Sequence, residues 1–122
     1  MHVVELLLTR LIGYLPIFIL GFAPPALYAY LVFVSFHAIF IHANVSFRFP
    51  RLRWLIATPE FHHWHHSSEA PAIDKNYAAF LPVYDVIFST AYQPAHLASR
   101  YGTVNTEVPQ RFTEQLVFPF RR

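Results

Sequence analysis

From Leu11 to Phe47 the chain carries no Asp, Glu, Lys or Arg. A run of that length crosses a bilayer core of ~30 Å more than once only if it folds back on itself. Gly21, Pro24 and Pro25 supply the break, because adjacent prolines remove backbone donors and push the preceding residue out of helical geometry. The pattern therefore predicts a helical hairpin with its turn near Ala23 to Pro25. The second arm, Ala26 to Val45, gives about 30 Å of helix at ~1.5 Å per residue and is long enough to span. The first arm must start near Val3, which carries Glu5 and Arg10 close to one interface. A signal peptide is the rival reading of that arm, since Arg10 precedes a short apolar stretch and small residues follow at Ala23 and Ala26. The second apolar span argues against simple secretion.

Arg48, Arg51 and Arg53 follow the second arm directly, and by the positive-inside tendency they place its end, and with it the N-terminus, in the cytoplasm. Thr58-Pro59-Glu60 reads as a helix start: a hydroxyl N-cap, proline at the first helical position and an acid in the first turn. Tyr77, Phe80, Leu81, Tyr84, Ile87 and Phe88 recur at three- and four-residue spacing, which predicts a short amphipathic helix with Pro82 at its first turn or a kink. Phe112 to Phe118 has room for one or two amphipathic turns before Pro119 ends them. No internal repeat or flexible linker interrupts the chain. The reading is an all-α membrane protein: a transmembrane hairpin over 3–47, then a cytoplasmic helical cap and tail over 48–122.

Composition supports the membrane class, because 55% hydrophobic and 13% charged residues are too apolar and too charge-poor for an ordinary soluble domain. The net charge of +2 comes from scattered arginines, not from the dense basic stripe that nucleic-acid binding needs, so no nucleic-acid partner is expected. Without cysteine, neither a disulfide nor a thiolate metal site can form. A transition metal must then be held by histidine or carboxylate. The chain has eight histidines, and four of them fall in His62-His63-Trp64-His65-His66.

Within that cluster His62, His65 and His66 satisfy H-x-x-H-H. At ~100° per residue they fall within an arc of about 100° on one helix face, so three imidazoles can converge on a small volume, and His63 lies outside it. Imidazole suits iron, copper, nickel or zinc, and a neutral nitrogen shell leaves the metal's charge for carboxylates or oxygen species to balance. His42 closes the apolar arm, where an ionisable group is a candidate for function. His37 lies five residues earlier, about 140° around the helix, and cannot easily face the same metal; His2, His37 and His96 are not expected to be ligands. The bland alternatives are a solvated histidine run without metal, a His42 bonded to a backbone carbonyl, and a His63 that merely flanks the site. A zinc hydrolase is weaker, since H-E-x-x-H and H-x-x-E-H both need a glutamate where this motif has histidine.

His42-Ala43-Asn44-Val45, Thr58-Pro59-Glu60-Phe61-His62-His63-Trp64-His65-His66, Asn76-Tyr77 and Asp85-Val86-Ile87-Phe88-Ser89-Thr90 occur in the order found in the fatty acid hydroxylase and sterol desaturase superfamily, which the chain resembles over nearly its whole length. The family's patterns are similar to H-A/S-N-V, T-P-x-x-H-x-x-H-H, N-Y-G and D-x-x-F-G-T, and Arg100-Tyr101-Gly102 with residues 115–121 is similar to bacterial members. Ala78 and Ser89 stand where glycines are usual. The resemblance implies an oxidoreductase whose di-iron centre uses O2 to hydroxylate or desaturate a lipid C–H bond, in a fatty acyl chain or a sterol, with electrons from a separate redox protein. It assigns His42, His62, His65 and His66 as metal ligands; zinc in place of iron stays open. Relatives carry further histidine motifs upstream, so the expectation is a chain that begins inside a larger domain. The alternative is a catalytically inactive, metal-binding membrane fragment. Asn44, Asn76, Tyr77, Tyr84 and above all Asp85 are candidates to orient imidazoles through their distal nitrogens, a need of histidine metal sites generally; for Asp85 a capping role is the alternative.

Overall fold

The computed structural model describes residues 3–104 and 107–120, and among them it is all-helical, with no strand and an isolated bridge between Ser67 and Tyr101. His2 and Arg121 lie outside the described residues. The chain divides into two compact units, one made of the described residues up to Tyr30 and from 107 onward, the other Leu31–Val104.

In the first unit, α1 (Val3–Ile19) leads into a short turn and the start of α2 (Pro24–Ile41). Gly21 makes the turn by adopting φ +68°, a left-handed conformation that costs glycine nothing. The apolar run breaks as the sequence suggested, but the turn occupies residues 20–23 and the two prolines lie just beyond it. They open α2, where the first-turn N–H groups have no helical partner to lose. Among the described residues α2 alone is long and apolar enough to cross a membrane, by length and composition. Near the other end of the chain, α5 (Phe112–Val117) runs into a tight 3-10 turn, Phe118–Phe120, so Pro119 sits inside the last turn instead of ending it.

The second unit carries the histidines. Helix α2 ends at Ile41, four residues before the expected Val45, because the Ala43 N–H turns back to the Phe40 carbonyl (3.0 Å) and the Val45 N–H to the Ala43 carbonyl (2.8 Å). Those tight bonds replace the helical pattern and leave His42 just past the helix end. Helix α3 (Pro59–His65) begins as its sequence predicts, with extended Thr58 at the N-cap and Pro59 in the first turn. The Thr58 hydroxyl is buried without a partner among the described residues, so the cap acts through its carbonyl, which accepts the N–H groups of Phe61 and His62. On the inner side of α3, Phe61 is buried with Ile41 and Ala57, and Phe40 packs against them; Trp64 lies edge-on to Tyr92 and His96.

Glu60 is buried at 5% exposure and does more than start a helix. Its carboxylate accepts the Phe49 N–H at 2.7 Å and pairs with Arg53 at 2.9 Å. Arg53 is therefore an internal tie between the segment leaving α2 and the helix that bears the cluster, beyond the topological role its position suggested.

The amphipathic helix expected from Tyr77 to Phe88 is shorter, α4 (Val83–Ile87) with Pro82 as N-cap. The reason is Asp85. Its carboxylate takes the N–H groups of Tyr77 (2.9 Å) and Ala78 (2.8 Å) and the Thr90 hydroxyl (2.6 Å), which folds residues 77–81 back over α4. Of the two positions where glycine is usual in the family resembled, Ser89 has φ +58° and Ala78 is not left-handed. A left-handed L-residue carries a penalty of roughly 1–2 kcal/mol, partly offset by glycine's greater loss of entropy on folding. Ser89→Gly should therefore raise stability by about 1 kcal/mol, read as a higher midpoint of thermal unfolding in detergent; an unchanged or lower midpoint would remove the strain assigned to this turn.

Candidate metal centre

Three imidazoles meet at one point. The Nε2 atoms of His42, His62 and His66 are 3.1 Å (62 to 42), 3.3 Å (66 to 42) and 3.1 Å (66 to 62) apart. His62 and His66 share a face of α3 because they are four residues apart, ~40° on an ideal helix. The turn after α2 brings His42 in from the other side, with its ring 4.5 Å from that of His62 and 5.2 Å from that of His66.

Protons alone cannot stabilise this triangle. In a neutral imidazole Nε2 is either a donor or an acceptor, so of three mutually touching Nε2 atoms at least two have the same role and repel. His42 fixes one of them: its Nδ1 lies 2.7 Å from the Ala38 carbonyl, which only accepts, so the proton sits on Nδ1 and Nε2 presents a bare lone pair. Burial pushes the His62 ring down to about 3, with the positive forms of His66, His42, His65 and His63 adding repulsion. Burial also lowers His66, and the neighbouring histidines lower it further. At neutral pH His62 is therefore an uncharged nitrogen donor, and the three ring nitrogens surround a shared point. An ion held ~2.1 Å from each of three nitrogens needs them roughly 3.0–3.4 Å apart, which is the spacing here. The residues fit a first-row transition metal, and the nitrogen donor set suits iron or zinc.

His65 stands beside this group and outside it. It lies ~60° around the helix from His62, and its Nδ1 is 3.1 Å from the Lys75 carbonyl, which leaves Nε2 unprotonated. Its ring is 5.5 Å from that of His62 and 5.2 Å from that of His66. His63 points elsewhere, with its ring 5.8 Å from Tyr101. His37 lies against Phe80 and reaches the Ala79 carbonyl at 3.2 Å, away from the three-imidazole group. His96 packs on Trp64. The distal Nδ1 of His62 is buried without a partner among the described residues.

The polar groups singled out as orienting residues work one step back from the rings. Asn76 is fully buried with φ +54°, and its amide donates to the carbonyls of Phe61 (2.9 Å) and Tyr92 (2.8 Å) while accepting the Tyr92 N–H (2.7 Å). It thus fastens α3 to residues 90–92 and fixes the turn whose Lys75 carbonyl holds His65. Asp85 spends its oxygens on Tyr77, Ala78 and Thr90, and among the described residues its carboxylate bonds no imidazole. Tyr77 has its ring 5.8 Å from His65 and its hydroxyl on Asp74. Asn44 is exposed at the centre of the tight turn after His42, between the bonded Ala43 carbonyl and Val45 N–H. Sequence reasoning missed Glu60 as an anchor; a lone acid in an apolar window seven residues after an arginine was the available signal.

Residues 1–90 match the family model described as fatty acid hydroxylase. Over 121 residues the chain is 28% identical to the ornithine lipid hydroxylase OlsE of Rhizobium tropici, covering 99% of this chain and 37% of that protein. It is 39% identical over 70 residues to alkylglycerol monooxygenase of Homo sapiens, covering 57% of this chain and 16% of that one. It is 37% identical over 68 residues to a very-long-chain aldehyde decarbonylase of Oryza sativa subsp. indica, covering 50% and 10%. The chain thus spans little more than a third of the length of the first of these relatives and less of the others. No solved structure matches it.

The depressed His62 value fixes a pH dependence. Below its ordinary value of 6.5 the unfolded chain takes up a proton that the folded ring refuses until about 3. Stability of the metal-free protein should therefore be full above that ordinary value and fall progressively as pH drops through this window. Unfolding midpoints measured from pH 7.5 down to 4 check this; a flat profile would contradict it. Asn76→Ala leaves three backbone groups without their partner, and at roughly 1–3 kcal/mol for each buried group it should cost at least about 3 kcal/mol in denaturant unfolding.

Proposed function

The chain belongs to the fatty acid hydroxylase family, and from that membership we propose that it supplies a histidine-bearing part of a membrane-bound, iron-dependent lipid oxygenase. The observation that carries this reading is the convergence of the His42, His62 and His66 Nε2 atoms to within 3.3 Å. The relatives are named for an ornithine lipid, an alkylglycerol and a very-long-chain aldehyde. The substrate class is accordingly a lipid with a long hydrocarbon chain or a sterol, and the reaction is hydroxylation or desaturation at an unactivated C–H bond.

His42, His62 and His66 would hold one metal ion through Nε2, and His65, next to them on α3, would add a nitrogen donor to a di-iron site. Four histidines are too few donors for two ions, so the remaining ligands come from another part of a longer polypeptide or from a second chain. Bound iron supplies O2 activation and one-electron chemistry that no side chain here can perform. The chain's own residues do the rest. The Ala38 and Lys75 carbonyls fix the tautomers of His42 and His65, so that each keeps Nε2 as its free donor, and that of His42 faces His62 and His66. Buried Phe61 and Trp64 close the back of α3 to water. Asn76 and Asp85 hold the turn that positions Lys75.

The layout suits a lipid that never leaves its bilayer. In this reading α2 spans the membrane as the second arm of a hairpin with α1, Arg48 and Arg51 lie at the cytoplasmic surface, and α3 with its histidines faces that side. His42, one residue past α2, sits where an acyl chain can rise from the membrane, while a redox protein delivers electrons from the solvent side. A zinc centre on the same donors, or a metal-binding fragment without activity, is the outcome that would displace this reading.

The test is substitution of His42, His62 or His66 by Ala in the polypeptide as its gene encodes it, purified in detergent. Each should lose bound iron and lipid oxidation by more than the roughly 10–100-fold expected for loss of an orienting partner. Variants that keep both iron and activity would overturn the assignment.

A further inference from the structure

We infer that residues 79–88, the stretch around α4, lie within the bilayer beside α2 and turn their exposed apolar face to lipid acyl chains. The inference rests on the proposal that α2 spans a membrane, and the test below separates the two.

The depth of contact comes first. The Ala79 carbonyl is bound by His37 Nε2 at 3.2 Å, and the Phe80 ring lies 5.2 Å from His37 and 5.5 Å from Phe33. Four residues separate His37 from the end of α2 at Ile41 and eight separate Phe33 from it, or ~6 and ~12 Å at 1.5 Å per residue. Phe80 therefore sits near the middle of the helix's length. If this stretch lay in water, the part of α2 left for the membrane would be about half of its 18 residues, far short of the ~30 Å hydrocarbon core. A spanning α2 thus takes residues 79–80 into the apolar layer with it.

The chemistry of the stretch fits that depth. Between Asn76 and Ala95 the chain has one Asp, Glu, Lys, Arg or His, and this is Asp85. Asp85 is 2% exposed and bonded to three donors, so its charge faces inward. The outer face is the reverse: Phe88 is 73% and Ile87 65% exposed, with Val83, Tyr84 and Val86 beside them. On a soluble surface a contiguous apolar face of this kind would be a liability; against lipid it is the stable choice. The backbone is prepared for it as well. In hydrocarbon each N–H needs an internal partner: within the stretch those of Tyr84, Val86 and Phe88 reach the carbonyls of Leu81, Pro82 and Tyr84, and on its flanks those of Asn76, Tyr77, Ala78, Ser89, Thr90 and Ala91 are bonded within residues 76–91. The Phe80 carbonyl is taken by the Ala57 N–H at 2.8 Å. Asp85 serves here as a buried clasp that lets a non-helical turn enter an apolar medium.

Because the chain has no cysteine, single labels are unambiguous. Ile87→Cys, Ile39→Cys on α2 and Ala70→Cys on the water side, each carrying a fluorophore, are reconstituted as the full chain in phosphatidylcholine vesicles. Quenching is measured with doxyl groups on the acyl chains and with aqueous iodide. The label at 87 should follow that at 39, with lipid quenching several-fold above, and iodide quenching several-fold below, the label at 70. Iodide quenching at 87 equal to that at 70 would put the stretch in water, and protection from both quenchers would mean that protein covers it; either overturns the inference while a lipid-quenched label at 39 leaves the membrane reading of α2 intact. Absence of lipid quenching at 39 overturns both.

Discussion

Three imidazole nitrogens held within 3.3 Å of one another form an arrangement that no assignment of protons can satisfy. Two lone pairs, or two N–H groups, must face each other at van der Waals contact or closer. Burial makes the conflict sharper, because the usual escape of protonating a ring is closed: His62 is held far below the histidine range by its surroundings. A cation at the centre would turn each repulsive contact into a bond. The rest of the second unit can be understood as the framework that keeps these rings together despite their repulsion.

That framework is built from backbone groups and a few buried polar side chains. Helix α3 gains its orientation from Phe61 against Ile41 and Ala57, and Glu60 ties it to the segment leaving α2 through Phe49 and Arg53. From below, Asn76 binds the Phe61 carbonyl and the backbone of Tyr92. Removing one partner of such a buried polar set leaves the other desolvated and unpaired, which is more costly than never having built it. The short elements of the cap, none longer than the seven residues of α3, would not be stable helices alone. These cross-ties, more than helix propensity, hold the site.

How far the sequence revealed this depends on the range of the interaction. The start of α3 was legible because Thr58, Pro59 and Glu60 act locally, and the pairing of His62 with His66 followed from helical spacing. The end of α2 was not, since the bonds of Ala43 and Val45 that stop it are turn geometry without a residue signature. The break before α2 was legible from Gly21 and the prolines, and only its edge differs: α2 starts at Pro24, two residues before the expected Ala26, because prolines fit a helix's first turn. Tyr77 to Phe88 was read as one helix because its apolar spacing is right. Asp85, whose carboxylate captures the N–H groups that a helix would need, is a tertiary effect invisible to periodicity. His65 fitted the arc and still stands apart from the three-imidazole group, because the Lys75 carbonyl ten residues on claims its Nδ1.

The central claim is that His42, His62 and His66 bind a metal through Nε2. X-ray absorption at the iron edge of detergent-purified, iron-loaded protein tests it most directly, since imidazole gives multiple-scattering features from its outer ring atoms. The account predicts a shell of nitrogen and oxygen donors at ~2.1 Å that includes about three imidazoles, and the loss of this imidazole-bearing iron in His42→Ala. A shell of oxygen donors without imidazole features, or one unchanged by that substitution, would contradict it.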